Sequence, residues 1–113
     1  MIKKKFDVII VGAGLSGLTL ANEISEKSEK SVLIIEKKRS YNYDKNWCFW
    51  NTPQNIFTNK YDTAWDSIKI KIDNNEIIHN ESNIRYLHLK SSSFFKYIIK
   101  RLTKNKRIKI LNG

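Results

Sequence analysis

Phe6-Asp7-Val8-Ile9-Ile10-Val11-Gly12-Ala13-Gly14-Leu15-Ser16-Gly17 is the stretch on which the reading of this chain turns. Its first six residues are a near-continuous apolar run, as expected of a strand buried on both faces of a parallel sheet. The run stops at glycines, and from Leu15 the apolar spacing becomes helical. Leu15, Leu18, Ala21 (with Leu20) and Ile24 fall on one face, and Asn22, Glu23 and Glu26 lie opposite. The polar residues Ser25 to Ser31 end that helix, and Ser31-Val32-Leu33-Ile34-Ile35-Glu36 is a second buried strand. Strand, helix and strand within about 31 residues make a βαβ unit, whose crossover is expected to be right-handed.

Gly12-Ala13-Gly14-Leu15-Ser16-Gly17 is a G-x-G-x-x-G, weak alone but here set between a buried strand and a helix. Gly12 permits the tight turn, Gly14 lets the backbone approach a pyrophosphate, and Gly17 allows close helix–strand packing. The helix N-terminus offers N–H groups and partial positive charge to the phosphates. Glu36 closes the second strand 19 residues past Gly17, the position of the acidic ribose partner. A carboxylate there bonds ribose hydroxyls and repels a 2′-phosphate, so FAD or NAD fits better than NADP. Glycines kept for packing alone are the rival reading. Lys37 is counted with the cofactor segment; Arg39 either reaches the adenosine phosphate or is solvated on the surface.

Lys37 to Tyr61 reads as irregular, with Pro53 and a dense aromatic block, Trp47-Cys48-Phe49-Trp50. Ser67-Ile68-Lys69-Ile70-Lys71-Ile72 alternates with period two, Asp73-Asn74-Asn75-Glu76 supplies turn residues, and Ile77-Ile78 continues a β-hairpin. A helix is expected over Ser92 to Thr103, with Phe94, Phe95, Ile98, Ile99 and Leu102 as its apolar stripe behind the capping candidates Ser91-Ser92-Ser93. Ile108-Lys109-Ile110-Leu111 begins a further strand. The fold class is therefore α/β, the N-terminal portion of a Rossmann-like fold: a βαβ unit, a hairpin, a helix and the start of another strand. So few strands leave the sheet's apolar edges little cover, and the expectation is that the chain is the incomplete opening of a larger fold.

A length of 113 residues allows one domain, and 41 % hydrophobic residues with 13 aromatics argue against disorder. No apolar run suits a bilayer span and no signal peptide is evident. The single cysteine, Cys48, excludes an intrachain disulfide and makes a reducing cytoplasm the default. Cys48 is expected to be a small buried hydrophobe, having no His near it in sequence. His79 and His88 lack a second ligand pair, so no metal is expected. The net charge of +10 is uneven: residues 1–81 hold 12 basic and 11 acidic side chains, whereas residues 82–113 hold nine basic and none acidic. Such a segment either solvates a helix face or binds an anionic membrane surface or nucleic acid.

With these residues in view, the chain resembles the lycopene cyclase family of flavoproteins. Asp44-Lys45-Asn46-Trp47-Cys48-Phe49-Trp50 is similar to the family's Asp-Arg-Thr-Trp-Cys-Phe-Trp block, with Lys45-Asn46 in place of Arg-Thr. Trp65, Ile68, Tyr86 and Phe94-Phe95 fall in the family's order, and Lys90 stands where arginine is common, which removes a bidentate contact. The resemblance implies FAD as cofactor, NADPH as external reductant, and an isomerase (intramolecular lyase) of carotenoid biosynthesis that closes rings at the ends of lycopene without net redox change. Reduced flavin would stabilise a carbocation-like transition state in a dry site. It also implies that residues 1–113 are the N-terminal part of an FAD-binding domain. The rest of the flavin site, the substrate domain and the catalytic acid would lie elsewhere, leaving these residues inactive alone.

Trp47, Phe49 and Trp50 either line a tunnel for the lycopene-like polyene or form a small aromatic core. Asp44 is read as a turn residue and not as the acid. Two alternatives stay open. One is another FAD-dependent oxidoreductase of the same superfamily, such as a hydroxylase or polyprenyl reductase. The other is a basic module for membrane or nucleic acid, with nucleic acid disfavoured by the glycine fingerprint and peripheral membrane contact compatible with it.

Overall fold

A computed structural model describes residues 5–41, 44–52, 57, 60–80 and 83–113. Its elements are β1 (Val8–Val11), α1 (Leu15–Lys27), β2 (Val32–Glu36), β3 (Asn46–Trp50), β4 (Thr63–Trp65), β5 (Ile68–Ile72), β6 (Asn75–His79), β7 (Tyr86–Lys90), α2 (Ser91–Thr103) and β8 (Ile108–Asn112). They divide into two compact units, one formed by Met1–Asn42 with Phe94–Gly113 and the other by Tyr43–Ser93. Pro53, part of the stretch read as irregular, lies outside the described residues.

In the first unit β1, β2 and β8 form a parallel sheet in the order β1-β2-β8, with Ile10 opposite Ile34 and Ile34 opposite Ile110. This is the α/β architecture read from the sequence. At the start of the sheet Asp7 and Ser31 lock two strands together. The Asp7 carboxylate accepts from the Ser31 N–H at 2.8 Å, and the Asp7 N–H donates to Ser31 Oγ at 3.0 Å. Ile10, Val32 and Ile34 are buried, as are Leu18 and Ala21 of α1. Each of the buried valine, leucine and isoleucine side chains contributes roughly 1.5–3 kcal/mol.

Burial of β1 on both faces is not what the structure shows. Ile9 and Val11 are 59 % and 83 % exposed, so cover lies on one face alone. The helical pattern also needs a correction. Asn22, assigned to the polar side of α1, is buried, and its Oδ1 accepts from Arg101 Nε of α2 at 3.2 Å. Arg101 also pairs with Glu26, and Arg107 donates to the Ser25 carbonyl at 3.4 Å. Part of the basic C-terminal third is thus spent on α1. From α2 the stripe Phe94, Phe95, Ile98 and Leu102 is buried.

The second unit is antiparallel, with the order β3-β7-β4 and the hairpin β5-β6. The block read as irregular is strand β3, which pairs Trp47 with Leu89, Cys48 with His88, Phe49 with Leu87 and Trp50 with Tyr86. Alternation sends Trp47 and Phe49 to the face of the buried Leu87 and Leu89, and sends Cys48 and Trp50 to the other. Cys48 is therefore exposed, contrary to the expectation of a buried thiol. It also has His88 directly across the sheet, a neighbour 40 positions away that sequence proximity hides. The hairpin turn is tighter than expected: Asn75 and Glu76 already belong to β6, leaving Asp73 at φ 53°, a region Asp tolerates.

The serines that open α2 do different work from capping. Ser91 Oγ accepts from the Lys45 N–H at 3.2 Å, and the Ser93 hydroxyl donates to Asp62 at 2.8 Å. Asp62 also accepts from the Lys90 N–H at 2.8 Å, so the carboxylate at the helix start comes from the segment before β4. Burial raises the Asp62 pKa, but the Lys90 N–H and the Ser93 hydroxyl outweigh it and hold the group below its ordinary value.

Candidate functional site

The carboxyl ends of β1, β2 and β8 enclose a cleft of about 560 Å³ lined by Val11, Gly12, Ile35, Glu36, Lys37, Leu111, Asn112 and Gly113. In open α/β sheets ligands bind outside these strand ends. The cleft follows from the sheet's pairing. The Gly12 N–H donates to the Ile35 carbonyl at 2.8 Å, and the Gly113 N–H donates to the Glu36 carbonyl at 3.0 Å, which ties all three strand ends together. Asn112 Nδ2 donates to the Lys38 carbonyl at 2.8 Å and fixes the far wall.

The three glycines meet three different demands. Gly12 turns at φ +102°, which an L side chain rarely adopts. A Cβ at Gly17 would collide with the Gly12 carbonyl oxygen and lie 3.2 Å from Ile10 Cγ2, so α1 sits against β1 only because that atom is missing. Around Gly14 there is open space, and this residue is the N-cap of α1, with no side-chain cap and no acid in the first turn. Its carbonyl accepts from the Leu18 N–H at 3.1 Å. The first turn of the helix thus carries neither an acid of its own nor a side-chain cap, a setting that favours a bound phosphate.

Glu36 couples the turn to the second strand. Its Oε2 accepts from the Ala13 N–H at 2.8 Å and its Oε1 from the Lys38 N–H at 3.0 Å. The Lys38 N–H first, and then that of Ala13, hold this carboxyl below its ordinary value, so it is ionised at neutral pH. A carboxylate has about four acceptor sites, so further bonds to a pair of ribose hydroxyls remain open. The unfilled space at Gly14, the uncapped helix start and this anchored anion fit the adenosine diphosphate part of a dinucleotide.

Of the residues singled out in the sequence, Gly12, Glu36 and Lys37 line the cleft. Ala13, Gly14, Leu15, Ser16 and Gly17 form the turn and the first helical residues beside it. Arg39 is exposed and is not part of the lining. Trp47, Phe49 and Trp50 belong to the other unit and do not share a face: Phe49 lies 6.4 Å from Phe57, whereas Trp50 lies 4.9 Å from Tyr86 on the exposed side. Asp44 is exposed. Leu111, Asn112 and Gly113 were missed as site residues. Their signal is positional, since the third strand of such a sheet must end beside Glu36, and no local motif marks it. Among the described residues no three His, Cys, Asp or Glu side chains cluster as metal ligands, and no helix is long and apolar enough to cross a membrane.

Residues 7–113 match the family model described as lycopene cyclase protein. The chain is also similar to a GMC oxidoreductase family protein, Mala s 12, of Malassezia sympodialis, 36 % identical over 63 residues, which are 56 % of this chain and 10 % of that protein. It is similar to the glucose oxidase of Penicillium chrysogenum, 50 % identical over 34 residues, or 30 % of this chain and 6 % of the oxidase. The chain spans a tenth or less of the length of these curated relatives.

Proposed function

The chain belongs to the lycopene cyclase family, and on that premise we propose that its parallel-sheet unit holds the adenosine diphosphate part of FAD in a carotenoid-cyclising flavoprotein. The observation that carries the reading is the Glu36 carboxylate, bonded to the Ala13 N–H of the glycine turn at 2.8 Å and facing the cleft. Glu36 receives the ribose hydroxyls and disfavours a 2′-phosphate. Gly14 admits the pyrophosphate, and the start of α1 meets its charge. Lys37 flanks the cleft, whereas Arg39 is exposed outside its lining. When bound in its reduced form, the flavin supplies electron density that stabilises positive charge developing on a polyene.

In this reading residues 1–113 are the N-terminal part of the FAD-binding domain, at work in a reducing cytoplasm. The complete protein isomerises a lycopene-like substrate, with NADPH keeping the flavin reduced. Ring closure needs an acid, which residues 1–113 do not identify. The binding claim is tested by titrating the full chain with FAD, NAD and NADP and following flavin fluorescence or heat. FAD is expected to bind, Glu36→Ala to weaken it about tenfold to a hundredfold through lost charge-assisted bonds, and NADP to bind least. Failure of every dinucleotide to bind overturns the reading.

The likeness to GMC oxidoreductase family proteins favours one second reading, an FAD-dependent oxidoreductase such as a hydroxylase or polyprenyl reductase. Product mass separates the two. Ring closure leaves the mass of the polyene unchanged, whereas oxygen insertion or hydrogenation alters it.

A further inference from the structure

We propose that the outer face of α2, with the turn that follows it, is a docking surface for an anionic lipid bilayer, held by lysine charge. The charge of the chain is unequally divided between its two units. Met1–Asn42 with Phe94–Gly113 hold 15 basic and five acidic side chains, whereas Tyr43–Ser93 hold six of each. The whole net charge of +10 therefore belongs to the unit that contains most of α2. Residues 94–113 alone supply seven basic side chains and no acid.

Within that segment the two kinds of cation are used differently. Both arginines turn inward onto α1: Arg101 bonds Asn22 and pairs with Glu26, and Arg107 donates to the Ser25 carbonyl. The lysines face out. The buried stripe Phe94, Phe95, Ile98 and Leu102 fixes the inner side of α2. Lys96 and Lys100, one turn apart, lie opposite that stripe and are exposed. Lys104 and Lys106 are exposed in the turn that follows. None of these four lysines joins an ion pair among the described residues.

Helices α1 and α2 treat surface charge in opposite ways. On α1 Lys27 lies 2.6 Å from Glu23, an i,i+4 pair of opposite sign. On α2 Lys100 has Lys96 four positions before it and Lys104 four after, a like-charge spacing that destabilises a helix. A polyanion relieves that repulsion, and the side chains on offer select which one. Nucleic acid is gripped by forked guanidinium groups and by stacked aromatic rings. Here the arginines are engaged with α1, and the exposed large apolar side chains of the unit, Ile9, Val11, Leu20 and Leu111, are aliphatic. Lysines on flexible stems are point charges, and each adds to the attraction of any sheet of anionic headgroups. None of the four lines the nucleotide cleft, so docking needs neither flavin nor polyene.

The test is sedimentation of the full chain with vesicles of phosphatidylcholine containing phosphatidylglycerol, against phosphatidylcholine alone. Binding to the anionic vesicles only is expected, with release in about 1 M salt, where the screening length is roughly 3 Å. Lys96→Gln with Lys100→Gln and Lys104→Gln should weaken it about a hundredfold, and arginine at the same three positions should retain it. Lys69→Gln with Lys71→Gln, in the electroneutral unit, should leave it unchanged. The triple glutamine variant should keep its far-ultraviolet circular dichroism spectrum and a urea midpoint no lower than the parent's, since it loses only like-charge repulsion. The salt and neutral-lipid measurements use the unsubstituted chain and stand independently of any variant. The proposal falls if the triple glutamine variant binds as well as the parent, or if the Lys69 and Lys71 changes weaken binding as much. It also falls if neutral vesicles bind equally, if salt has no effect, or if the chain ignores anionic vesicles, whether or not it binds duplex DNA.

Discussion

The two units hold their strands by opposite means. In β1-β2-β8 the strands are parallel, the apolar runs of β1 and β2 are continuous, and the glycine turn brings α1 onto one side. In β3-β7-β4 the strands are antiparallel, and each alternates between a buried side with Leu87 and Leu89 and a side with Trp50, Trp65 and His88. The first unit depends on one close approach of backbone to backbone, the second on cross-strand pairs. Damage to one point should therefore undo the first, while the second should fail through its core and tolerate change outside it.

The sharpest way to break this contrast is Gly17→Val. Its Cβ has no room against the Gly12 carbonyl, so a loss of about 4 kcal/mol or more in unfolding free energy is expected, together with loss of dinucleotide binding. Urea denaturation and FAD titration check both. In the second unit Leu87→Ala should cost about 3 kcal/mol, because Leu87 is fully buried and the space is not refilled.

Acid provides a milder comparison, since both units have carboxylates held below their ordinary values, Asp7 and Glu36 in the first and Asp62 in the second. A depressed carboxyl stabilises the folded state above its unfolded pKa, and the contribution is lost as pH falls through the folded one. Stability should therefore decline below about pH 4. Glu36→Gln and Asp62→Asn should each flatten part of that decline, as seen in urea midpoints measured across the acid range. Cys48→Ser should move stability by less than about 0.5 kcal/mol, and Cys48 should react with a thiol reagent in the native state because it is exposed. A cysteine protected until unfolding would contradict the alternation assigned to β3.

How far each unit was legible follows from the range of its contacts. β1, α1, β2 and the glycine turn announce themselves because period and composition change within a few residues. The β5-β6 hairpin was readable for the same reason. Strands β3, β4 and β7 were not, since β3 pairs with a partner some 40 positions away, as in Trp47 with Leu89, and no local period reports that. The exposed thiol and the buried Asn22 were misjudged because chemistry was inferred from residue type. Position in the register decided the first, and Arg101, a distant partner, decided the second. At the cleft, Glu36 was legible from its spacing, whereas Leu111, Asn112 and Gly113 needed the strand order.

That strand order also has a consequence for how the cleft comes into being. Glu36 pairs with Asn112, so β2 must wait for the intervening chain before its second neighbour exists. As the protein is synthesised from its N-terminus, the glycine turn and its carboxylate emerge early, while the wall opposite them emerges near residue 113. Bringing such distant segments together carries an entropic penalty that slows folding. Assembly of the cleft is therefore a late step, and a nascent chain has passed through the whole antiparallel unit before the wall beside Glu36 exists.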